Sequence, residues 1–275
     1  MKQDLSRFGI LGESEPMREL ADWTHAAAPH WDTILITGER GTGKELLAQA
    51  IHRLGPTRGA ELVIVDCAAL HPAMAEAALF GHERGAFTGA LNRRIGYLEA
   101  AHEGSVFLDE IGSLPLETQG RLLRFLESRT LTRIGAVKPL KIRTRIIAAT
   151  NRDIHSDCRN GRFLPDLYDR LCVLQVRTPP LRERCGDIPI LIQHFMGEDN
   201  FHRLGRNVLQ ILERYSYPGN IRELRNLSRR LTVFYPEGRI QLRRIHRIAP
   251  EIKNQVDRRA ACSAQRQEGI TAAID

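Results

Sequence analysis

The stretch T-I-L-I-T-G-E-R-G-T-G-K-E-L-L-A-Q-A-I at positions 33–51 decides the fold class of this chain. A short β-branched run leads into a glycine-rich loop with the spacing G-x-x-x-x-G-K, and an apolar-periodic helix follows directly. Strand, glycine loop and helix in this order are typical of a phosphate-binding loop, whose backbone N–H groups and helix N-terminus surround phosphates. The stretch therefore predicts a nucleotide site at Gly38, Glu39, Arg40, Gly41, Thr42, Gly43, Lys44 and Glu45.

The residue after Lys44 departs from the common form of this loop. Glu45 stands where Ser or Thr usually holds magnesium. Either the metal is held elsewhere, or the loop belongs to a class that does not use the hydroxyl. The alternative to a phosphate loop is a chance glycine turn before a helix, and the matching flanks on both sides disfavour it.

The bulk composition indicates a soluble globular protein with room for one large domain and a small one. Of 275 residues, 42% are hydrophobic and 27% are charged. The chain has no run of 18 apolar residues and no apolar signal-peptide core at its start, so we expect a cytoplasmic protein without a membrane segment. Five cysteines without a C-x-x-C pair fit reduced thiols and disfavour a zinc site.

Positive charge is concentrated in the C-terminal part of the chain. From position 200 onward there are 15 Lys and Arg against 7 Asp and Glu, whereas the whole chain carries +7. Two interpretations are open: contact with nucleic acid, or the solvated face of a small helical domain. We favour the second, because no aromatic residues are interleaved with the arginines for base stacking.

Alternating strands and helices predict an α/β fold with a parallel sheet covered on both faces. Strands are predicted at 34–37, 61–66, 105–109, 145–149 and 172–176, and helices at 14–28, 46–54 and 118–127. After the Pro179-Pro180 step the pattern is all-helical, at 188–195, 208–215 and 221–234. The predicted domains are an α/β nucleotide-binding domain at 8–177, a small helical lid at 178–248, and a polar tail at 249–275 that forms a frayed helix or stays disordered.

The segment V-F-L-D-E at 106–110 supplies the second half of an ATPase site. Three apolar residues at 106–108 carry a strand through the core, and two carboxylates follow at its end. Asp109 is predicted to hold Mg²⁺, and Glu110 to orient and polarise the attacking water. Alone, an apolar run ending in Asp-Glu is weak evidence, but its pairing with a phosphate loop strengthens the prediction.

Two further polar residues are candidates for sensing the phosphate. Asn151 ends the strand I-I-A-A-T-N, where its amide could face the γ-phosphate or the lytic water; the alternative is a strand-ending Asn in a turn. Arg222 lies in P-G-N-I-R-E-L at the start of a helix of the second domain. It could reach phosphate from the lid, and the alternative is an ordinary surface arginine.

The strings L-F-G-H-E-R-G-A-F-T-G-A, R-I-I-A-A-T-N-R-D-I, P-P-L-R-E-R and Y-P-G-N-I-R-E-L make the chain resemble a known family from about position 8 to 247. It is similar to the central AAA+ domain of bacterial enhancer-binding proteins, the activators of sigma-54 RNA polymerase. The G-A-F-T-G-A string is specific to that family among AAA+ proteins. The family normally carries Glu at the position of Glu45, which accounts for the departure from the common loop.

The resemblance implies an AAA+ ATPase that uses ATP and Mg²⁺ and forms a ring, usually a hexamer, with ATP bound between subunits. It also implies a loop that contacts sigma-54, of which small residues would give a mobile tip and the phenylalanine and threonine an exposed anchor. Residues 135–138 fall where the family has a second, supporting loop. The sigma-54 contact residues would be Gly85, Ala86, Phe87, Thr88, Gly89 and Ala90.

The chain departs from the family pattern at its catalytic control positions. Asp66 stands where the family usually has an Asn that holds the catalytic Glu, so this switch is altered or shares a proton with Glu110. Of two arginines that reach the neighbour's ATP site, the later is present as Arg170 and the earlier falls on Leu164. Arg162 lies close by, but would point elsewhere if the segment is helical. The segment between Phe195 and Tyr215 is also shorter than usual for the lid.

The sequence supports a leading function and two alternatives. The leading hypothesis is an ATP-hydrolysing activator that remodels the sigma-54 closed promoter complex. The first alternative is a weakly hydrolysing regulatory subunit that joins rings with a complete relative, and the second is a basic nucleic-acid-binding protein. We expect neither the family's sensing domain before the predicted ATPase nor its DNA-binding helix-turn-helix after Pro250 in this chain, because the residues on each side of the ATPase are few and those after Pro250 are polar.

Overall fold

The apolar runs form a five-stranded parallel sheet in the computed structural model, which describes residues 5–252. The strand order is β2-β3-β6-β1-β7, and β4 and β5 form a separate antiparallel hairpin. The strands are β1 Ile34–Thr37, β2 Leu62–Asp66, β3 Ser105–Asp109, β4 Thr130–Leu131, β5 Leu140–Lys141, β6 Arg145–Thr150 and β7 Leu174–Arg177.

The register of the sheet brings the predicted site residues to one edge. Asp66 is opposite Asp109 on β2 and β3, and Thr37 is opposite Thr150 on β1 and β6. The carboxyl ends of parallel strands lie on the same side of a sheet, where ligands of α/β proteins usually bind. The phosphate loop after β1, the carboxylates at the end of β3 and the residue after β6 are therefore neighbours.

Both faces of this sheet are covered. Ile34, Leu35 and Ile36 follow one another on β1 and therefore point to alternate faces, and all three are buried. One core cluster joins β2, β3 and β6 to the apolar side chains of α5 and α7. The helices before the Pro179-Pro180 step are α1 Glu15–Ala27, α2 Lys44–Leu54, α3 Pro72–Phe80, α4 Tyr97–Ala100, α5 Leu116–Ser128, α6 Ile154–Arg159 and α7 Pro165–Leu171.

After the double proline the chain is helical and builds a second core around Leu191, Leu212, Leu224 and Leu231. Helix α11 packs mainly against α8. The helices of this part are α8 Ile188–Met196, α9 Glu198–Phe201, α10 Arg206–Arg214, α11 Asn220–Phe234 and α12 Leu242–Ile248.

Contacts divide the described residues into two compact units. The first contains residues 5–10, Glu19–Glu39 and Gly43–Thr178, and the second contains Leu11–Arg18, Arg40–Thr42 and residues 179–252. The N-terminal segment is tied into the second unit by Asp187, whose carboxylate accepts hydrogen bonds from the backbone N–H of Glu13 and Ser14 and from the Ser14 hydroxyl. Most of the predicted tail, residues 253–275, lies outside the described residues, as does Cys262.

The observed elements differ from the predicted ones mainly where polar or alanine-rich segments fold. Helix α3 has almost no amphipathic pattern, and the prediction omitted it together with α4, α6 and α7. The predicted strand at 172–176 begins later, at Leu174, because the Cys172 N–H still bonds to the Tyr168 carbonyl at the end of α7. Within residues 5–252 no helix is both long and apolar enough to cross a bilayer, and the four cysteines there are free thiols.

Candidate nucleotide site and partner loop

The phosphate loop adopts the backbone conformation that its glycines allow. Gly38, Gly41 and Gly43 have φ values of 151°, 78° and 99°, in the region that side chains rarely occupy. A Cβ atom at Gly38 would overlap the Thr178 hydroxyl, so this glycine is also required for close packing. Helix α2 begins at Lys44, which leaves its first backbone N–H groups directed at the loop.

The side chain of Lys44 is buried inside the loop that it ends. Its Nζ donates to the carbonyls of Gly38 at 3.0 Å and Glu39 at 3.3 Å. It also lies 3.7 Å from Glu110 Oε1. Glu45 points along the exposed side of α2, where it accepts a hydrogen bond from Gln49. The loop thus presents one buried ammonium group next to a catalytic-type carboxylate.

Glu110 is held in place from both ends of its carboxylate. While Oε1 faces Lys44, Oε2 accepts a hydrogen bond of 3.1 Å from the Asn151 backbone N–H. Its backbone is left-handed, with φ 53° and ψ 48°, a conformation that costs a non-glycine residue about 1–3 kcal/mol. The Asp109 carboxylate accepts the Glu110 N–H at 3.0 Å. These contacts join the phosphate loop, the end of β3 and the end of β6 at one point.

Asp109 and Glu110, the two members of the acidic pair, are both partly buried. Burial raises the pKa of the Asp109 carboxyl above the usual range, and the nearby Glu110 adds to this shift while Lys44 opposes it. A partly buried carboxylate at the carboxyl end of a strand is suited to a cation, because a positive partner would offset the cost of its charge. The site therefore has a carboxylate of the kind that serves as a Mg²⁺ ligand in nucleotide sites.

Asp66 lies beside Asp109 in the sheet but makes a different contact. Its Oδ1 accepts the Ala68 N–H at 2.9 Å and caps the turn after β2. Within residues 5–252 the structure gives Glu110 the partners Lys44 and Asn151, and it does not bring the carboxylates of Asp66 and Glu110 into one hydrogen bond.

The two arginines near α7 occupy different environments. Arg162 donates a hydrogen bond of 2.8 Å through Nε to Asp157 Oδ1, its Nη2 lies 2.7 Å from the same oxygen as an ion-pair contact, and this carboxylate is only 7% exposed. Arg170 is 60% exposed and lies 3.8 Å from Glu127. Leu164 is the N-cap residue of α7 and packs against the core, with its Cδ1 next to Gly120.

Arg222 lies in the first turn of α11, within the second unit. It lines a groove of about 690 Å³ together with Gly219, Glu223 and Asn226. The preceding Asn220 is fully buried and accepts the Leu181 N–H at 2.8 Å. The sequence prediction missed Asn220, although its place between a Pro-Gly turn and a helix start was a usable signal.

The G-A-F-T-G-A segment forms a glycine-bounded loop. Gly85 N–H bonds to the Ala90 carbonyl at 2.8 Å, and both Gly85 and Gly89 have positive φ with open space where a Cβ would stand. Thr88 is exposed, whereas Phe87 is half-buried because its ring packs edge-on against His82 at 4.9 Å. The threonine is thus the more accessible of the two side chains proposed as anchors.

A buried arginine closes the base of this loop. Arg133 donates to Glu83 at 2.7 Å, before the loop, and to Glu99 at 2.8 and 2.5 Å, after it. Gly135 of the second predicted loop lies against Ala86, where a Cβ would approach to 2.9 Å. Sequence reasoning missed Arg133, since its two partners are 34 and 50 residues away and no local pattern links them.

Comparison with known proteins assigns the α/β part of the chain to a family. The model of the sigma-54 interaction domain matches residues 10–177. The chain belongs to the sigma-54 interaction domain family. A second family model, the AAA+ ATPase lid domain, matches residues 182–262. The fold is therefore the predicted one, a parallel-sheet AAA+ core with a helical lid domain.

Several curated relatives in this family are transcriptional regulators. The DNA-binding transcriptional regulator NtrC of Azospirillum brasilense is 43% identical over 97% of this chain and 56% of its own length. The Nif-specific regulatory protein of Azorhizobium caulinodans is 44% identical over 82% of this chain and 37% of its own length. The chain thus spans about half or less of the length of these relatives.

Two of the solved structures to which this chain is similar contain a bound nucleotide. NtrX of Brucella abortus in complex with ATP superposes with a TM-score of 0.75 and 35% identity, covering 82% of this chain and 50% of that one. The NtrX complex with ADP gives a TM-score of 0.77 at 34% identity over 85% and 54%. A RuvB mutant from Thermotoga maritima, 16% identical over 89% of this chain and 70% of that one with a TM-score of 0.60, shares the fold.

Four of the predicted site residues of this sigma-54 interaction domain meet at one point, namely Lys44, Asp109, Glu110 and Asn151. Asn151 takes part through its backbone N–H, whereas the prediction concerned its side-chain amide. Asp66 lies beside them but bonds elsewhere. Arg162 and Arg170 make ion pairs within the chain, at Asp157 and Glu127. The six residues of the G-A-F-T-G-A loop form a separate, hydrogen-bonded segment.

Proposed function

We propose that this sigma-54 interaction domain is an ATP-hydrolysing AAA+ activator that forms rings and remodels the sigma-54 RNA polymerase closed promoter complex. The observation that carries the proposal is the Glu110 carboxylate, held between the Lys44 ammonium and the Asn151 N–H in the same unit that presents the G-A-F-T-G-A loop. NtrX, a relative in structure, is known in complexes with ATP and ADP.

The arrangement suits phosphoryl transfer to water. Lys44 and the N–H groups of the loop would bind the β- and γ-phosphates, because the ammonium charge and the partial positive charges of the N–H groups lie together in the phosphate loop. Asn151 keeps the Glu110 carboxylate directed inward, where it can accept a proton from the attacking water. Mg²⁺, when bound with ATP, would neutralise charge on the phosphate oxygens. Asp109 would hold the ion, with Glu110 beside it.

The partner site is assigned to Gly85, Ala86, Phe87, Thr88, Gly89 and Ala90. Two glycines with free space around them allow this segment to change conformation, and the hydrogen bonds at its base keep its ends together. The exposed Thr88 offers a hydroxyl and a methyl group to sigma-54. Leu91, 79% exposed, and Val137 of the second loop, 94% exposed, extend the apolar part of this surface.

A second candidate is a weakly hydrolysing subunit that joins rings with a complete relative. It is favoured by one observation: an apolar Leu164, packed beside Gly120, occupies a position where the family has an intersubunit arginine. Arg162 is paired with Asp157 of the same chain, through one hydrogen bond from Nε and an ion-pair contact from Nη2, which supports the view that it does not take over this role. Rings of this chain alone would then hydrolyse ATP slowly.

Three substitutions test the proposal. Lys44→Ala should abolish ATP binding, Glu110→Gln should bind ATP without hydrolysing it, and Thr88→Ala should hydrolyse ATP at nearly the wild-type rate yet fail to bind sigma-54 with a transition-state analogue present. Equilibrium ATP binding, steady-state ATPase and sigma-54 capture measure the three effects. Unchanged ATP affinity in Lys44→Ala would contradict the nucleotide site, and parallel loss of hydrolysis and capture in Thr88→Ala would contradict the loop assignment.

The regulatory-subunit candidate makes a different prediction for ATPase rate. If it is correct, the activity per subunit stays low at every protein concentration and rises when a complete family member is added. If the activator proposal is correct, the activity per subunit increases with concentration as rings assemble. Measuring ATPase rate and particle size over the same concentration series separates the two candidates.

A further inference from the structure

A fully buried glutamine on α5 contacts the segment that leads into the arginine-bearing helix α7. Gln119 is 0% exposed, yet its amide makes three hydrogen bonds to backbone groups. Nε2 donates to the carbonyls of Leu114 at 2.8 Å and Arg162 at 3.1 Å, while Oε1 accepts the Leu164 N–H at 3.0 Å. Within one unit, a single side chain thus joins two segments that lie 43 to 50 residues apart in sequence.

On one side, these bonds lead back to the catalytic carboxylate. After Glu110 the chain forms a single 3₁₀ turn, closed by Ser113 N–H to the Glu110 carbonyl at 2.9 Å and by Leu114 N–H to the Ile111 carbonyl at 3.2 Å. Ile111 is fully buried and Leu114 nearly so, which fixes this turn against the core. The Leu114 carbonyl that Gln119 contacts is therefore four residues from Glu110 in a tightly bonded turn.

On the other side, the bonds fix the start of α7. Leu164 is the N-cap residue of that helix, and its side chain makes no cap bond, so the Gln119 amide holds its backbone instead. Phe163, between the two contacted residues, is buried in the core. Arg170 lies on the same short helix, Pro165–Leu171, so its position follows from where that helix starts.

We propose that Gln119 is a positioning residue that sets where α7 presents Arg170 to the ATP site of a neighbouring subunit. This inference rests on the proposed function, since it requires an ATPase ring in which Arg170 acts in trans. Because Gln119 bonds to the backbone and not to side chains, it holds the segment whichever residue occupies position 164. The turn after Glu110 is already fixed by its own hydrogen bonds and by the core, so it serves as the anchor to which Gln119 joins the start of α7.

The chemistry of the amide provides two graded variants. Gln119→Glu keeps the length and the acceptor for the Leu164 N–H but loses both donors and places a carboxylate next to two carbonyls. Gln119→Leu removes all three hydrogen bonds and replaces the amide with an apolar side chain of similar volume. Gln193→Glu, an exposed residue on α8, makes the same change of charge away from this contact and serves as the matched control.

The decisive experiment separates the two roles that a subunit plays in a ring. A Lys44→Ala subunit cannot bind ATP but can offer Arg170, whereas an Arg170→Ala subunit binds ATP but offers no arginine. ATPase activity recovered on mixing them therefore comes from Arg170→Ala sites served by Lys44→Ala neighbours. Gln119→Glu is then added to either partner, and Gln193→Glu likewise.

The proposal predicts an asymmetric result. Gln119→Glu in the Lys44→Ala partner should reduce the recovered ATPase by up to ~10²-fold, the loss typical of a misplaced catalytic group. The same change in the Arg170→Ala partner should leave activity within about twofold, and ATP affinity there should stay at the wild-type value. Equal loss in both partners, or no loss in either, would overturn the proposal.

Amide hydrogen exchange gives a readout that does not depend on turnover. The Leu164 N–H should exchange faster in Gln119→Leu than in wild type, and the core amides of β3 and β6 should remain protected. Unchanged Leu164 exchange overturns the contact on which the inference stands. If the parent mixture recovers no activity while the wild-type chain hydrolyses ATP, Arg170 does not act in trans and this inference falls, while the proposed ATPase stands.

Discussion

Separate substitutions of Arg162 and Arg170 should show that the two arginines have different roles. In Arg162→Ala the chain loses a hydrogen bond of 2.8 Å and an ion-pair contact of 2.7 Å, both to an Asp157 carboxylate that is 7% exposed. In Arg170→Ala it loses only a 3.8 Å ion pair between side chains that are 60% and 48% exposed. We therefore expect Arg162→Ala to affect stability and Arg170→Ala to affect catalysis.

The magnitude follows from the burial of the partner carboxylates. A hydrogen bond to a charged group contributes about 1.5–3 kcal/mol. The guanidinium of Arg162 is 57% exposed, so solvent screening lowers this contribution, and Arg152 remains 3.6 Å from the other oxygen of Asp157. We expect Arg162→Ala to lower the free energy of unfolding by ~1–2 kcal/mol, and Arg170→Ala to lower it by less than ~0.5 kcal/mol.

Thermal unfolding without nucleotide, combined with steady-state ATPase, measures both effects. For a domain of this size 1 kcal/mol shifts Tm by roughly 2–4 °C, so Arg162→Ala should unfold ~2–8 °C earlier with kcat per folded subunit near wild type. Arg170→Ala should keep its Tm and lose most hydrolysis, since an arginine supplied in trans raises the rate by about 10³–10⁵ in well-studied cases. Arg159→Ala, exposed on α6, is the control and should change neither quantity. A wild-type Tm with lost ATPase in Arg162→Ala would refute this assignment and make Arg162 the trans-acting group.

Two further predictions concern positions 164 and 109. Leu164→Arg should increase the ATPase rate per subunit, because the aliphatic part of the arginine can lie beside Gly120 as the leucine does while its guanidinium reaches solvent. Leu164→Lys should increase the rate less, because an ammonium group lacks the planar guanidinium. An unchanged rate in both variants would contradict the idea that position 164 limits hydrolysis. Asp109→Asn should raise Tm at pH 7 without Mg²⁺ and abolish Mg²⁺-dependent hydrolysis, because burial raises the pKa of Asp109 and its ionised form therefore costs stability. The raised pKa determines how the stability of the wild type depends on pH. Below the ordinary carboxyl pKa, Asp109 is protonated in both the folded and the unfolded state and does not lower the free energy of unfolding. As pH rises through the pKa of the folded state, Asp109 ionises in the folded protein and the free energy of unfolding falls. The Tm difference between Asp109→Asn and wild type should thus shrink as pH falls from 7 to 4, and a constant difference would contradict the burial argument.

The sequence predicted the strands that carry the site because their signals are local. The strand Ser105–Asp109 was predicted with its observed bounds, since a short apolar run between Gly104 and two acidic residues is typical of a buried strand. Helix α3 was missed because its alanine-rich segment shows no apolar stripe. Periodicity reports which side of a helix is buried, and a helix that is apolar on most sides gives no such signal.

Within the site, residue identity was predictable and orientation was not. Lys44, Asp109 and Glu110 follow from motif and spacing, but the bond from Asn151 N–H to Glu110 depends on the sheet register and on the left-handed backbone of Glu110. Gln119 reads as one polar position in an amphipathic helix, although it is fully buried. A buried polar side chain is stabilised by partners far away in sequence, and single-residue patterns contain no record of them.

The departures from the family pattern concern the control of hydrolysis and leave the partner loop intact. Asp66 offers only acceptors where an asparagine would also offer N–H donors, so Glu110 cannot be held by hydrogen bonds from that side chain while both carboxylates are ionised. Glu110 is instead held by Lys44 and the Asn151 N–H, both of which direct it toward the phosphate loop. In the proposed ring, Leu164 would weaken the contribution of the neighbouring subunit, whereas Asp66 would remove a restraint within the subunit itself. These two changes would then act in opposite directions on the rate of hydrolysis, and neither residue takes part in the hydrogen bond between Gly85 N–H and the Ala90 carbonyl at the base of the loop. We therefore expect the ATPase rate and the proposed sigma-54 contact of this chain to vary separately, so that each needs its own measurement.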